Sequence, residues 1–158
     1  MKFKIITSIL ILTFSLLSLN AEDNEIVTRD HTPGDNTVTG SEDDYNRVLT
    51  INPVKGDRDE ALKYHKIASQ YYRQKKYNEA EIAWIKCVYA DPSWARSYYN
   101  LACKRVLMND SVIAIALINT ALQLSNGTLL EKIMEDKDLD SIKNEKAFLD
   151  LVQKYRNK

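Results

Sequence analysis

Two cysteines, Cys87 and Cys103, a histidine at His65 and a run of alternating acids are the residues of this chain whose types and spacing could do chemistry. His65 and Cys103 could form a thiol–imidazole pair of the kind that activates a nucleophile. Such a pair needs a third group to orient the imidazole and backbone donors to hold an oxyanion. No glycine-rich turn accompanies these two residues, so no catalytic residue and no enzyme is expected. Two cysteines are also an even count, which in an exported protein suggests a disulfide. Asp136, Asp138 and Asp140 in DKDLD alternate like the opening of a calcium-binding loop. Ser141 stands where that loop needs glycine, and Ala147 where it needs a bidentate glutamate. These acids are therefore expected to cap solvated turns, and no metal site is expected. Phosphate-loop, zinc-spacing and Gly-x-Ser-x-Gly patterns are absent from the sequence, so no cofactor is expected either. Asn126-Gly127-Thr128 fits the N-glycosylation acceptor pattern. His31, alone in a polar stretch, is expected as a solvated side chain.

The elements that would position these residues are helical. Glycine and proline number only 4 and 3, too few turn signals for a many-stranded sheet. Lys+Arg and Asp+Glu balance at 22 each, which gives no case for nucleic acid or an anionic membrane as partner. At 158 residues the chain holds one domain plus appendages.

Residues 1–21 have the build of a signal peptide. Lys2 and Lys4 form a basic start, Ile5 to Leu19 is an apolar run diluted by Thr and Ser, and Ala21 offers a small residue for cleavage. The run is about 15 residues, short of the roughly 20 needed to span a bilayer, so no membrane span is expected in the mature chain. Export to the periplasm or beyond is the expectation. Cleavage after Ala21 removes two lysines and leaves 20 basic against 22 acidic residues, a net charge of about −2. Residues 22–56 begin with a stretch rich in Asp, Asn, Thr and Gly that cannot bury enough apolar surface to offset ordering entropy, and are expected to be a disordered tether. Tyr45 to Pro53 is more apolar and leaves three alternatives: a strand, a short docking helix, or no regular structure.

From Asp57 to Lys158 the pattern is helical. Asp57 and Glu60 are placed as a capping box. A break is expected at Lys75-Lys76, with a second helix from about Asn78 to Tyr89. Asp91-Pro92 is expected to end that helix and start the next, aspartate as cap and proline in the first helical position. The third helix runs to about Met108, and the fourth from an Asn109-Asp110 turn to Leu124. Ser125-Asn126-Gly127 then stops it.

A shift of 34 residues carries Ala61 onto Ala95, Tyr64 onto Tyr98, Ile67 onto Leu101, Ala68 onto Ala102, Ala80 onto Ala114 and Cys87 onto Ala121. This pattern resembles the tetratricopeptide repeat, a helix–turn–helix unit of that period. Tyr64, Ala68, Tyr71, Ala80, Trp84 and Pro92 carry the first copy (61–94). Ala102 and Ala114 carry the second (95–128), which has Arg105 in place of Tyr71 and Asn126 in place of Pro92. The alanines are small because two helices of one hairpin approach closely there. Residues 129–158 must cover the apolar fourth helix. They resemble a terminal segment that follows such repeats in many bacterial proteins, with DKDLDSIKNEKAFLDL as its core. Leu129 to Glu135 is expected as a shortened third first-helix, Asp138 to Lys143 as a turn, and Glu145 to Arg156 as a last helix burying Phe148, Leu151, Val152 and Tyr155.

The fold implied is all-α, a short α–α superhelix. A bacterial source would leave the glycosylation pattern idle. The resemblance also places Cys87 toward the next hairpin and Cys103 on the inner surface, which argues against a disulfide. It further implies a concave surface that binds a protein or peptide partner. That groove maps onto His65, Ser69, Tyr72 and Arg73 in the first copy and Tyr99, Asn100, Cys103 and Val106 in the second. Tyr72 and Tyr99 are expected to supply stacking area, Arg73 to pair with a carboxylate and Asn100 to hold a peptide backbone. Only Asn100 matches the lysine- and asparagine-rich clamp of some family members, so that role is not expected here. The alternatives are a self-associating component, pairing through the fourth or last helix, and a thiol-dependent enzyme.

Overall fold

The computed structural model describes residues 40–157. The expected leader and residues 22–39 of the expected tether lie outside them. The described residues form seven α-helices and no strand: α1 Glu42–Thr50, α2 Arg58–Arg73, α3 Tyr77–Ala90, α4 Ala95–Leu107, α5 Ser111–Leu124, α6 Leu130–Glu135 and α7 Lys146–Arg156, with a 3-10 turn at Lys137–Leu139. α2 pairs with α3 and α4 with α5 as two hairpins, and α3 packs on α4 to stack one hairpin on the next. This is helix-on-helix packing of the α–α superhelical kind.

Ala68, Ala80, Ala102 and Ala114 are each fully buried. All four belong to the single hydrophobic core that the paired helices share. Trp84 fills the space beside them and is buried, while Tyr64 and Tyr71 are half-buried on the open end of the first hairpin. Ile85, Leu101, Leu117, Ile118 and Leu122 close the core; burying each contributes about 1.5–3 kcal/mol.

The hairpin turns use left-handed residues. Lys75 (φ 59°) separates α2 from α3, Asn109 (φ 57°) separates α4 from α5, and Asn126 (φ 50°) with Gly127 (φ 81°) ends α5. Asp110 caps α5 by accepting from the Ile113 N–H.

Three expectations change. Residues 40–56 do not continue a disordered tether: α1 is closed by a capping box between Ser41 and Asp44 and lies against α3 and α5 with Tyr45 and Val48 fully buried. Two large apolar side chains in a nine-residue helix suffice to dock it, although the polar composition around them masks the signal. Second, Asp57 caps α2 through the Asp59 and Glu60 N–H groups, but its own N–H goes to the Ala90 carbonyl (2.8 Å) rather than to the Glu60 side chain. The start of α2 is thereby tied to the end of α3. Third, Pro92 is not the first residue of a helix. It lies in a turn, and α4 begins at Ala95 after Trp94, which makes no side-chain cap. Asp91 spends its carboxylate elsewhere: Oδ1 accepts from the Ser93 N–H and hydroxyl and from the Gly56 N–H, and Oδ2 pairs with Arg58 Nε at 2.6 Å.

The C-terminal segment covers α5. Phe148, Leu151, Val152 and Tyr155 are buried on the inner face of α7, and Ile133, Leu139 and Ile142 fill the space beneath it.

Candidate functional site

α2 and α4 lie side by side on one face of the stack, and α6 with the 3-10 turn closes its far end. Between them is a cleft of about 360 Å³. α2 contributes Ser69, Tyr72 and Arg73; α4 contributes Tyr99, Asn100 and Cys103. Spacings of three and four residues put each set on one helical face. The far wall is Lys132, Asp136 and Asp138, and Trp84 of α3 also lines the cleft.

The structure brings six of the eight expected groove residues to this cleft and exposes them unequally. Arg73 is exposed, while Ser69, Tyr72 and Asn100 are half-buried. His65 flanks the cleft: Asn100 Nδ2 donates to its Nδ1 (3.2 Å), and its ring sits edge-on to Trp94 at 5.1 Å. Burial, helped by Arg96 and Lys132, lowers the His65 pKa and keeps the ring neutral at pH 7. Val106, by contrast, is packed into the core and presents no contact surface.

Tyr72 and Tyr99 are walls rather than open stacking platforms. The Tyr72 ring packs against Tyr77 (5.3 Å) and Trp84 (5.4 Å), and its hydroxyl donates to Asp138 at 2.8 Å. Tyr99 is buried, its hydroxyl donates to Asp136 Oδ2, and the Lys132 ammonium lies 4.8 Å from its ring. Burial and the Asp138 carboxylate push the Tyr72 phenol well above its usual pKa. Two hydroxyls that an incoming ligand could have used are thus already engaged by the chain's own acidic turn.

The acids of DKDLD are likewise accounted for. Asp136 accepts from Tyr99 and, through Oδ1, from the Asp138 N–H; Asp140 pairs with Lys143. They pin the 3-10 turn to the cleft wall.

Both cysteines are free and buried. Cys87 Sγ donates to the Ala61 carbonyl (3.2 Å) and lies 2.9 Å from Ser97 Oγ. Cys103 meets Asp136 at 3.8 Å, so its polar neighbour is a carboxylate and not the His65 imidazole. Burial pushes both thiols up to about 12.

The sequence pattern does not place Lys132, Asp136 and Asp138 at the groove. Extending the groove to the shortened third first-helix would have found Lys132. Asp136 and Asp138 left no such signal, because their partners Tyr99 and Tyr72 lie 37 and 66 residues away.

Three of the unspent groups in the cleft are donors. Arg73 and Lys132 are exposed cations with no carboxylate partner among the described residues. The Trp84 indole N–H is buried and has no partner. An orphaned buried donor costs about 1–3 kcal/mol, which an acceptor brought by a ligand would recover. No family model, no curated protein and no solved structure matches this chain.

Proposed function

We propose that this chain is a non-catalytic binding scaffold of the tetratricopeptide type, exported to a bacterial cell envelope or beyond, whose cleft between α2 and α4 takes a segment of a protein partner. The two hairpins, the buried alanines at the repeat positions and the segment that caps α5 support the repeat reading. The observation that carries the binding reading is the orphaned Trp84 N–H beside Arg73 and Lys132. Together they suit a segment rich in acceptors, carboxylates included. The burial of both thiols supports a role without catalysis, since a reactive cysteine needs access and a lowered pKa.

The test is capture of partners from the envelope fraction by the exported chain, beside a variant carrying Arg73→Glu and Lys132→Glu. Both positions are exposed, so the variant is expected to melt with the parent. A protein held by the parent and lost by the variant is the expected result. A protein held equally by both would put the binding surface elsewhere, and no captured protein would count against a scaffold.

A further inference from the structure

A second surface lies on the outer end of the stack, away from the cleft. Tyr64, Ile67 and Tyr71 of α2 and Ile82 and Ala83 of α3 line a shallow groove of about 310 Å³, with Glu79 and Lys86 at its two ends. Ile67 is 43% exposed. The 34-residue register shows what such a face is built to do. The matching residues of the second hairpin, Tyr98 and Leu101, are fully buried where α4 packs on α3. The first hairpin carries apolar residues at the same two positions, Tyr64 and Ile67, yet no described element packs over them, because α1 packs on the opposite side of α3 through Tyr45 and Glu81.

We propose that a second copy of this chain covers this face, with α3 crossing its twofold mate antiparallel at Ile82 and Ala83. Charge placement selects that occupant. Glu79, Ile82, Ala83 and Lys86 lie at i, i+3, i+4 and i+7 and so share one face of α3. In an antiparallel pair centred between Ile82 and Ala83, Glu79 of each copy stands opposite Lys86 of the other. The interface therefore carries two opposite-charge pairs about 10.5 Å apart along the helix. A twofold interface must be self-complementary, and this face is. Ala83 is small and buried at the floor of the groove, which leaves room above it for a side chain of the mate, with half-buried Ile82 beside it; Tyr64, Ile67 and Tyr71 of the two α2 helices close the sides. The pairing differs from one through α5 or α7, and it does not rest on the cleft reading.

The experiment is sedimentation of the full chain, as the producing cell delivers it, at concentrations up to about 100 μM, where a dimer of ordinary strength assembles. A concentration-dependent dimer is expected. Glu79→Lys or Lys86→Glu alone should weaken it at least about tenfold, since each sets like charges against each other twice. Glu79→Lys with Lys86→Glu should restore it, because the exchange rebuilds both pairs. Ile67→Arg, at an exposed position, should weaken it as well, with circular dichroism and melting confirming that each variant folds. A monomer at every concentration, a dimer indifferent to the single reversals or to Ile67→Arg, or a double exchange that fails to recover would overturn the proposal.

Discussion

The Tyr45 hydroxyl donates a 2.5 Å hydrogen bond to the Glu81 carboxylate across 36 residues of chain. Glu81 is buried, and so is Lys104, whose ammonium lies 3.4 Å from it; the Arg105 guanidinium is also at 3.4 Å and stacks on the Tyr45 ring at 3.5 Å. One carboxylate in the core thus ties α1, α3 and α4 together. Burial, reinforced by Glu81, raises the Tyr45 pKa far beyond its usual range, so the hydroxyl keeps the proton it donates.

Glu81→Gln should therefore be among the most damaging single changes outside the apolar core. It leaves the buried Lys104 without its counter-charge, which costs about 3–5 kcal/mol, whereas the half-buried Arg105 keeps Asp110. Tyr45→Phe removes only the neutral donor and should cost about 1–3 kcal/mol. Urea unfolding of the two variants checks the order. A Glu81→Gln protein as stable as the parent would show that the cluster contributes nothing.

Asp91 supplies a pH dependence. Burial by itself would raise its pKa, but hydrogen bonds from Ser93, Arg58 and Gly56 outweigh that effect and hold the carboxyl below its ordinary value of 3.8. The folded form is thus the more acidic. Its contribution is complete above pH 3.8 and is lost as pH falls through the depressed folded value. Asp91→Asn should flatten the fall of unfolding free energy below pH 3.8 and cost about 2 kcal/mol at pH 7. Parallel pH profiles for parent and variant would contradict this.

Gly56 is required by close approach. A Cβ built there would stand 2.1 Å from the Ala90 carbonyl oxygen, the same oxygen that accepts from the Asp57 N–H. Neither atom can move without parting the start of α2 from the end of α3. Gly56→Ala is expected to destabilise by about 2 kcal/mol or more, where an unhindered Gly→Ala change commonly stabilises. Thermal melting decides the sign.

The thiols should be silent in the native protein. With burial pushing Cys87 and Cys103 up to about 12, each is almost entirely protonated at pH 8. Alkylation by iodoacetamide is expected to be at least about a hundredfold slower than in urea, where both should react. Fast native alkylation of either would reopen a thiol-based activity.

The hairpins were legible because their signal is local and periodic. Ala68 and Ala80 mark a close helix contact in the sequence itself, and Asn109-Asp110 and Asn126-Gly127 announce turns through their tolerance of positive φ. The α2 and α4 residues expected at a groove came from the family resemblance instead, and six of those eight line the cleft. The local signal misjudged Pro92, because a favourable first-turn residue does not outweigh the Asp91 contacts with Gly56 and Arg58, which arrive from 35 and 33 residues away.

The sequence by itself determined the existence and order of α2 to α7 and the 34-residue register of their apolar positions, since these follow from spacing within one or two turns; α1, with its mixed polar composition, was not among them. Only the tertiary structure decided which groove residues remain available. Tyr72 and Tyr99 look like ligand platforms until Asp138 and Asp136 claim their hydroxyls, and Trp84 looks like core until its N–H is found without an acceptor. Those pairings join residues tens of positions apart, and no local period encodes them. They arise from folding the capping segment back across the cleft, which brings carboxylates within hydrogen-bond reach of phenols on α2 and α4.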